Sequence, residues 1–220
     1  MFLSCHARLF SILLLLKCRK TSLPHILYRG GVFMNYNPCC ASKDYLRAAY
    51  CIIEDLIYAE ARVKTNDCVS ENFVALMVSQ HRAAIALSEN LLEYSAFEPI
   101  RDIARMIVTT HNDRIKRMRM ALRRCKGGNS PKDEWEEYMA HTERICGRMT
   151  EEMRCADIGE RINCDYIRHM IPLLEGGVRM AENALGYGIC NALVPYARDI
   201  VESHKRMISA LQKLICMICG

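Results

Sequence analysis

A chain of 220 residues with 51% apolar content carries ample material for a packed core, which excludes a disordered polymer. The formal charge of +5 is uneven: residues 1–42 hold five basic and no acidic side chains, residues 43–126 hold 14 against 11, and residues 131–220 hold 11 against 14. Because the surplus sits in an N-terminal segment and at one helix end, not across a folded face, nucleic acid is not an expected partner.

Residues 1–42 read as a basic, partly apolar leader. Phe10, Ile12 and Leu13 to Leu16 form an apolar run too short to span a bilayer, followed at once by Lys17, Arg19 and Lys20. A secretory signal would put its charge before that run, so a surface-lying or poorly ordered leader, or a later start at Met34, fits better. Any membrane contact is expected through residues 1–20 alone.

From Ser42 onward the chain reads as helix after helix, since Ala, Leu, Ile, Met, Arg and Glu dominate while aromatics make up 7% and prolines number six. The first helix is predicted over 44–64, with Leu46, Ala49, Ile53, Leu56 and Ile57 on one face. The second is predicted over 71–93, with Ser70 as its N-cap and a stripe of Phe73, Met77, His81, Ile85, Ser88 and Leu92. The third opens at Pro99, a favoured first helical position, and lines Ile103, Ile107, His111, Ile115, Met118 and Leu122 along its inner stripe. Gly127 and Gly128 then stop it, and Ser130, Pro131 and Asp133 read as N-cap, first position and acidic first turn of the next helix.

Sliding the chain against itself by 93 residues brings two halves into gapless register. Tyr45 falls on Tyr138, Ile52 on Ile145, Met77 on Met170, Glu89 and Asn90 on Glu182 and Asn183, and Tyr94 on Tyr187. The run continues through Ala104, Arg105, Ile107, Val108, His111 and Ile115, opposite Ala197, Arg198, Ile200, Val201, His204 and Ile208. The expectation is therefore an all-α chain of two tandem three-helix units, 43–126 and 131–220, with helices of the second unit near 131–154, 163–185 and 191–217. Pro172 falls inside the second of these, where it removes a backbone hydrogen bond beside His169 and Met170 and should kink the helix.

Met170, Ile171 and Pro172, followed by Glu175, Gly176, Gly177, Val178, Arg179, Met180, Ala181, Glu182, Asn183, Ala184 and Leu185, resemble the signature of the domain-of-unknown-function 305 family. That signature reads roughly Met-Ile-Pro-His-His-Glu-Gly-Ala-Ile, with a downstream Ile-Ile-x-x-Gln-x-x-x-Ile-x-x-Met. The first unit matches through Met77, His81, Ala83, Ala84 and Ile85, then Ile107, Ile115 and Met118. The resemblance implies ferritin-like, four-helix-bundle-type packing, and copper held by histidine and methionine as in some secreted members. The signature's paired histidines stand here as Gln80 and His81 in the first unit and as Leu173 and Leu174 in the second. Its downstream Gln is His111 and His204, and its late Met is Met118 and Leu211. The second unit therefore reads as stripped of its site.

The metal-ligand candidates are Met77, His81, His111 and Met118: Met77 and His81 stand one turn apart, His111 and Met118 two turns apart on a neighbouring helix, and thioether with imidazole suits Cu(I). The bland alternative makes His81 a hydrogen-bonded core histidine. His111 and His204 each sit mid-stripe, where an unpaired imidazole is costly to bury, so each needs a carboxylate, a carbonyl, a residue of the other unit or a metal. Thirteen cysteines, an odd number without regular spacing, read as packing thiols in a reducing compartment, which slightly favours the cytoplasm. Cys216 and Cys219 form a C-x-x-C at the end of a helix, read as incidental thiols, with a zinc clip to Cys39 and Cys40 as the sharper alternative. The cations from Arg114 to Lys126 read as a dipole-matched helix end or a surface for acidic partners. Phosphate loops, Ser/His/Asp sets and Glu-x-x-His pairs are missing from the sequence, so no enzyme is expected. The function expected is a non-enzymatic, metal-handling bundle for copper, homo-oligomeric or not. Its rival is a structural or interaction module that kept the fold and lost the metal site.

Overall fold

In the computed structural model, the described residues are 38–63, 67–125 and 130–219, with side chains described from 41 onward. They form six helices and no strand: α1 Pro38–Ala61, α2 Val69–Tyr94, α3 Glu98–Leu122, α4 Lys132–Arg154, α5 Ile162–Gly186 and α6 Val194–Ile218. Most of the leader lies outside the described residues, although α1 begins inside its last turn and Ser42 donates a hydrogen bond to the Glu160 carbonyl at 2.8 Å.

The buried residues follow the predicted stripes in part. On α1, Ala49, Ile53 and Leu56 are buried together with Tyr45, while Leu46 and Ile57 are half-buried; on α3, Ile107, His111, Ile115 and Met118 are buried together with Ile100 and Ala104, while Ile103 and Leu122 are half-buried. Each fully buried Leu, Ile or Met withdraws enough apolar surface to contribute about 1.5–3 kcal/mol, so the amphipathic faces, not intrinsic propensity, hold the helices in place. The middle helix of each repeat is central: α2 packs on α1 and α3, α5 packs on α4 and α6, and α2 and α5 pack on each other. One apolar cluster runs through both repeats.

Repeat-related contacts recur. Asn90 Nδ2 donates to the Tyr45 carbonyl at 3.0 Å, and Asn183 Nδ2 donates to the Tyr138 carbonyl at 3.2 Å. Tyr45 meets Tyr94 edge-on at 6.1 Å, as Tyr138 meets Tyr187 at 5.7 Å. Where the repeats meet, residues bond to their own counterparts: Gln80 Nε2 donates to the Leu173 carbonyl at 2.8 Å across a separation of 93 residues. A pseudo-two-fold axis thus passes between α2 and α5.

Three expectations need correction. Ser70 does not cap α2; the N-cap position is Cys68, and the Ser70 hydroxyl accepts the Cys190 N–H at 2.9 Å. Ser130 does not cap α4 either, because Pro131 holds that position and the Ser130 hydroxyl accepts the Val69 N–H at 3.3 Å. Nor are the cysteines uniformly packing thiols: Cys125 pairs with Cys190 and Cys164 with Cys219, both with Cα atoms 5.9 Å apart, a separation suited to a disulfide. Cys155 is disulfide-bonded as well. Helix α5 runs unbroken through Pro172. Among the described residues, no helix is long and apolar enough to cross a membrane.

Candidate metal centre

Where α2, α3 and α6 converge beside α5, three histidines meet. His81, His111 and His204 are each fully buried, and one ring nitrogen of each lies within 4.8 Å of the others. The rings of His111 and His204, repeat counterparts, stack at 5.2 Å with 9° between their planes. His81 lies 4.3 Å from the His111 ring and 5.5 Å from that of His204. The centre straddles the pseudo-two-fold axis, and Leu174 is the counterpart of His81. An ideal symmetric site would hold four imidazoles; this one holds three.

The hydrogen-bond network fixes which nitrogen faces inward. Gln80 donates its amide N–H to the Leu173 carbonyl, so its Oε1 is the atom facing His81 Nδ1, at 2.8 Å. Thr110 spends its hydroxyl proton on the Met106 carbonyl at 2.7 Å, which leaves the Thr110 oxygen to accept from His111 Nδ1 at 3.3 Å. His204 Nδ1 donates to the Leu174 carbonyl at 3.3 Å. All three rings therefore carry their proton on Nδ1, and the Nε2 lone pair of each is free. Those three Nε2 atoms are buried with no hydrogen-bond partner. An outer-shell acceptor on one ring nitrogen and a bare lone pair on the other is the arrangement by which proteins orient imidazole toward a metal.

Electrostatics keep these lone pairs available. Burial, then the neighbouring rings and Arg114, hold His81 and His111 well below the usual histidine range. Burial and Arg114 push His204 down to about 3. The rings are neutral at neutral pH, as metal ligation requires. Arg114, on α3, is pinned from α6: its Nε and Nη2 donate to Asp199 Oδ2 at 3.1 and 2.6 Å, and Nη2 donates to the Ser203 hydroxyl at 2.9 Å. Arg114, one of the cations read as a solvated helix end or a surface for acidic partners, is instead buried and ties the repeats together beside the histidines.

Gly177 on α5 makes room for this cluster. A Cβ there would lie 2.8 Å from His204 Nδ1 and 2.9 Å from Gln80 Nε2, closer than real side chains approach.

Of the four ligand candidates, the structure brings His81 and His111 together. Met77 and Met118 are fully buried on the same two helices, and the Met77 carbonyl hydrogen-bonds His81. The reading of the second repeat as stripped is corrected: it supplies His204. The signal was present, since His204 falls on His111 at the repeat offset. The C-x-x-C is split, with Cys219 bonded to Cys164 and Cys216 exposed, so Cys219 is not open to a zinc clip; the Cys39 and Cys40 side chains lie outside the described residues.

Taken together, the geometry defines an all-α bundle with a buried three-histidine group able to hold a metal ion. The chain belongs to the family described as Domain of unknown function (DUF305), which it matches over residues 70–215, from the start of α2 into the last turns of α6. No curated protein and no solved structure matches it.

Proposed function

We propose that this chain is a non-enzymatic metal-handling protein that holds Cu(I) on the Nε2 atoms of His81, His111 and His204. The observation that carries the reading is the set of three buried, unpartnered Nε2 atoms, each on a ring whose Nδ1 is already engaged. Three considerations favour a monovalent soft ion. The cluster contains no carboxylate, and imidazole with thioether suits Cu(I). Arg114 repels a divalent ion twice as strongly as a monovalent one at the same distance. Met77 and Met118 offer thioethers on the two helices that bring His81 and His111. Complete burial of the three rings argues for storage or transfer of the ion over turnover of a substrate, and the disulfides favour an oxidising compartment.

Anaerobic titration with Cu(I) against a chromophoric chelator, and in parallel with Zn2+, tests the reading. Wild type should bind Cu(I) saturably and more tightly than Zn2+. Loss of His204, from the second repeat, should weaken binding as much as His81→Ala does, by at least roughly tenfold. Zn2+ bound more tightly than Cu(I) would remove copper from the reading. Binding indifferent to His204→Ala would overturn the site, and a wild type that self-associates without binding metal would favour the interaction module.

A further inference from the structure

A second cluster of metal-ligating side chains lies where α1, α4 and α5 meet. Cys146 on α4 places its sulfur 3.8 Å from the Met180 thioether on α5. That contact is an S–H···S hydrogen bond, the Cys146 thiol donating to the Met180 sulfur. The Glu60 carboxyl of α1 lies beside the same thiol, and its Oε1 is buried without a partner. The thiol proton thus occupies the place between two soft sulfurs that a thiophilic cation would take. Two metal–sulfur bonds of about 2.3 Å subtend about 4 Å at a trigonal angle, so the observed spacing already suits an ion seated between them.

We infer that Cys146 and Met180, with the free Oε1 of Glu60 as a third donor, form a second site for a thiophilic monovalent cation of the Cu(I) class. Thiolate disfavours a hard ion such as Mg2+, and the thioether favours Cu(I) over Zn2+. Binding forms a metal–sulfur bond to Cys146 and breaks its S–H bond. The proton passes through the Glu60 carboxyl to solvent, and no electron changes hands. Burial and Glu60 raise the Cys146 thiol well above its ordinary range, so without a soft cation it stays protonated and unreactive. Met180 stands one turn beyond Gly177, which abuts His204, so the sulfur site is a neighbour of the histidine centre. Cys146 is half-buried whereas the three rings are fully enclosed, which makes the sulfur site the outer of the two.

The inference does not depend on the histidine centre, and one experiment separates them. In a Cys216→Ser background, which removes an exposed thiol, the protein is titrated anaerobically with Cu(I) while ultraviolet thiolate-to-metal absorption and proton release are recorded. The expected result is a thiolate-bound ion that releases one proton, persists in His81→Ala and disappears in Cys146→Ser. Met180→Leu, which conserves volume, should weaken that ion by at least roughly tenfold while helicity is retained. It decides the matter if Cys146→Ser fails to fold. Thiolate absorption that survives Cys146→Ser, or an affinity unmoved by Met180→Leu, would overturn the assignment.

Discussion

His169 is buried on α5 with neither ring nitrogen bonded, held edge-on against Tyr50 at 5.9 Å, and burial alone pushes it down to about 4. No neighbouring charge raises it, although Asp165 lies one turn away, so the ring is not part of an acid–imidazole pair. Its repeat counterpart is Leu76, also buried. A buried group with two unmet hydrogen bonds destabilises by about 1–3 kcal/mol, and an apolar side chain of similar volume removes the cost. His169→Leu should therefore raise the urea midpoint, with a gain of about 1–2 kcal/mol at pH 7. At pH 5 the gain should be larger, because the unfolded histidine no longer draws a proton. A loss of stability at pH 7 would show that the ring has a partner. The contrast with His81, His111 and His204 is instructive. Their Nδ1 atoms are all satisfied and only the Nε2 atoms are bare, so replacing them removes candidate ligands and not a ring with both nitrogens unmet.

Among the helices, α5 shapes the three-histidine cluster because it carries glycine where α2 carries alanine. Gly177 and Ala84 are repeat counterparts, and the missing Cβ lets His204 and Gln80 close over α5. Gly177→Ala should thus be opposed by two effects: a gain in helix propensity of up to about 1 kcal/mol, and a steric clash that moves His204. Metal affinity should fall at least roughly tenfold while the far-ultraviolet helical signal stays constant, and a variant with wild-type affinity would mean that His204 is not held where the ion binds. The helices themselves were legible in the sequence, since apolar stripes at spacings of three and four need only local information. The start of α2 was read at 71 and lies at Val69, because the Ser70 hydroxyl answers to Cys190, 120 residues away, and not to its own helix. His204 escaped the ligand set for the same reason: its role depends on α3 and α6 meeting across the axis. Disulfide partners are likewise set by the fold, as spacing alone does not pair thirteen cysteines.

For the whole molecule, the repeats are joined by more than apolar packing. The Cys125–Cys190 disulfide links them, tying the end of α3 to the loop before α6 across a separation of 65 residues, while Cys164–Cys219 closes the second repeat on itself, joining the start of α5 to the end of α6 across 55. In the chain-entropy description each closure is worth about 4 kcal/mol, somewhat less in combination. That reserve offsets the cost of a polar centre, and the cost depends on pH. Buried histidines stay neutral in the folded chain but take a proton near pH 6.5 once unfolded, so above that pH they leave stability unchanged, and below it each favours unfolding by about 1.4 kcal/mol per pH unit. With His204 near 3 and His169 near 4, these two alone withdraw about 4 kcal/mol by pH 5. His81 and His111 act in the same direction. Glu60, raised to about 7 by burial, acts the other way and returns about 2 kcal/mol over the same interval. Metal-free protein should consequently lose stability steeply between pH 6.5 and 5, read as a falling urea midpoint, whereas Cu(I) saturating the three rings should raise the midpoint by nearly the same amount at every pH and leave the slope in place, because the folded rings are already neutral and the ion displaces no proton from them. A metal-free midpoint that does not move across this range would mean that the three rings are hydrated and able to take protons in place, and the buried centre would then have to be abandoned.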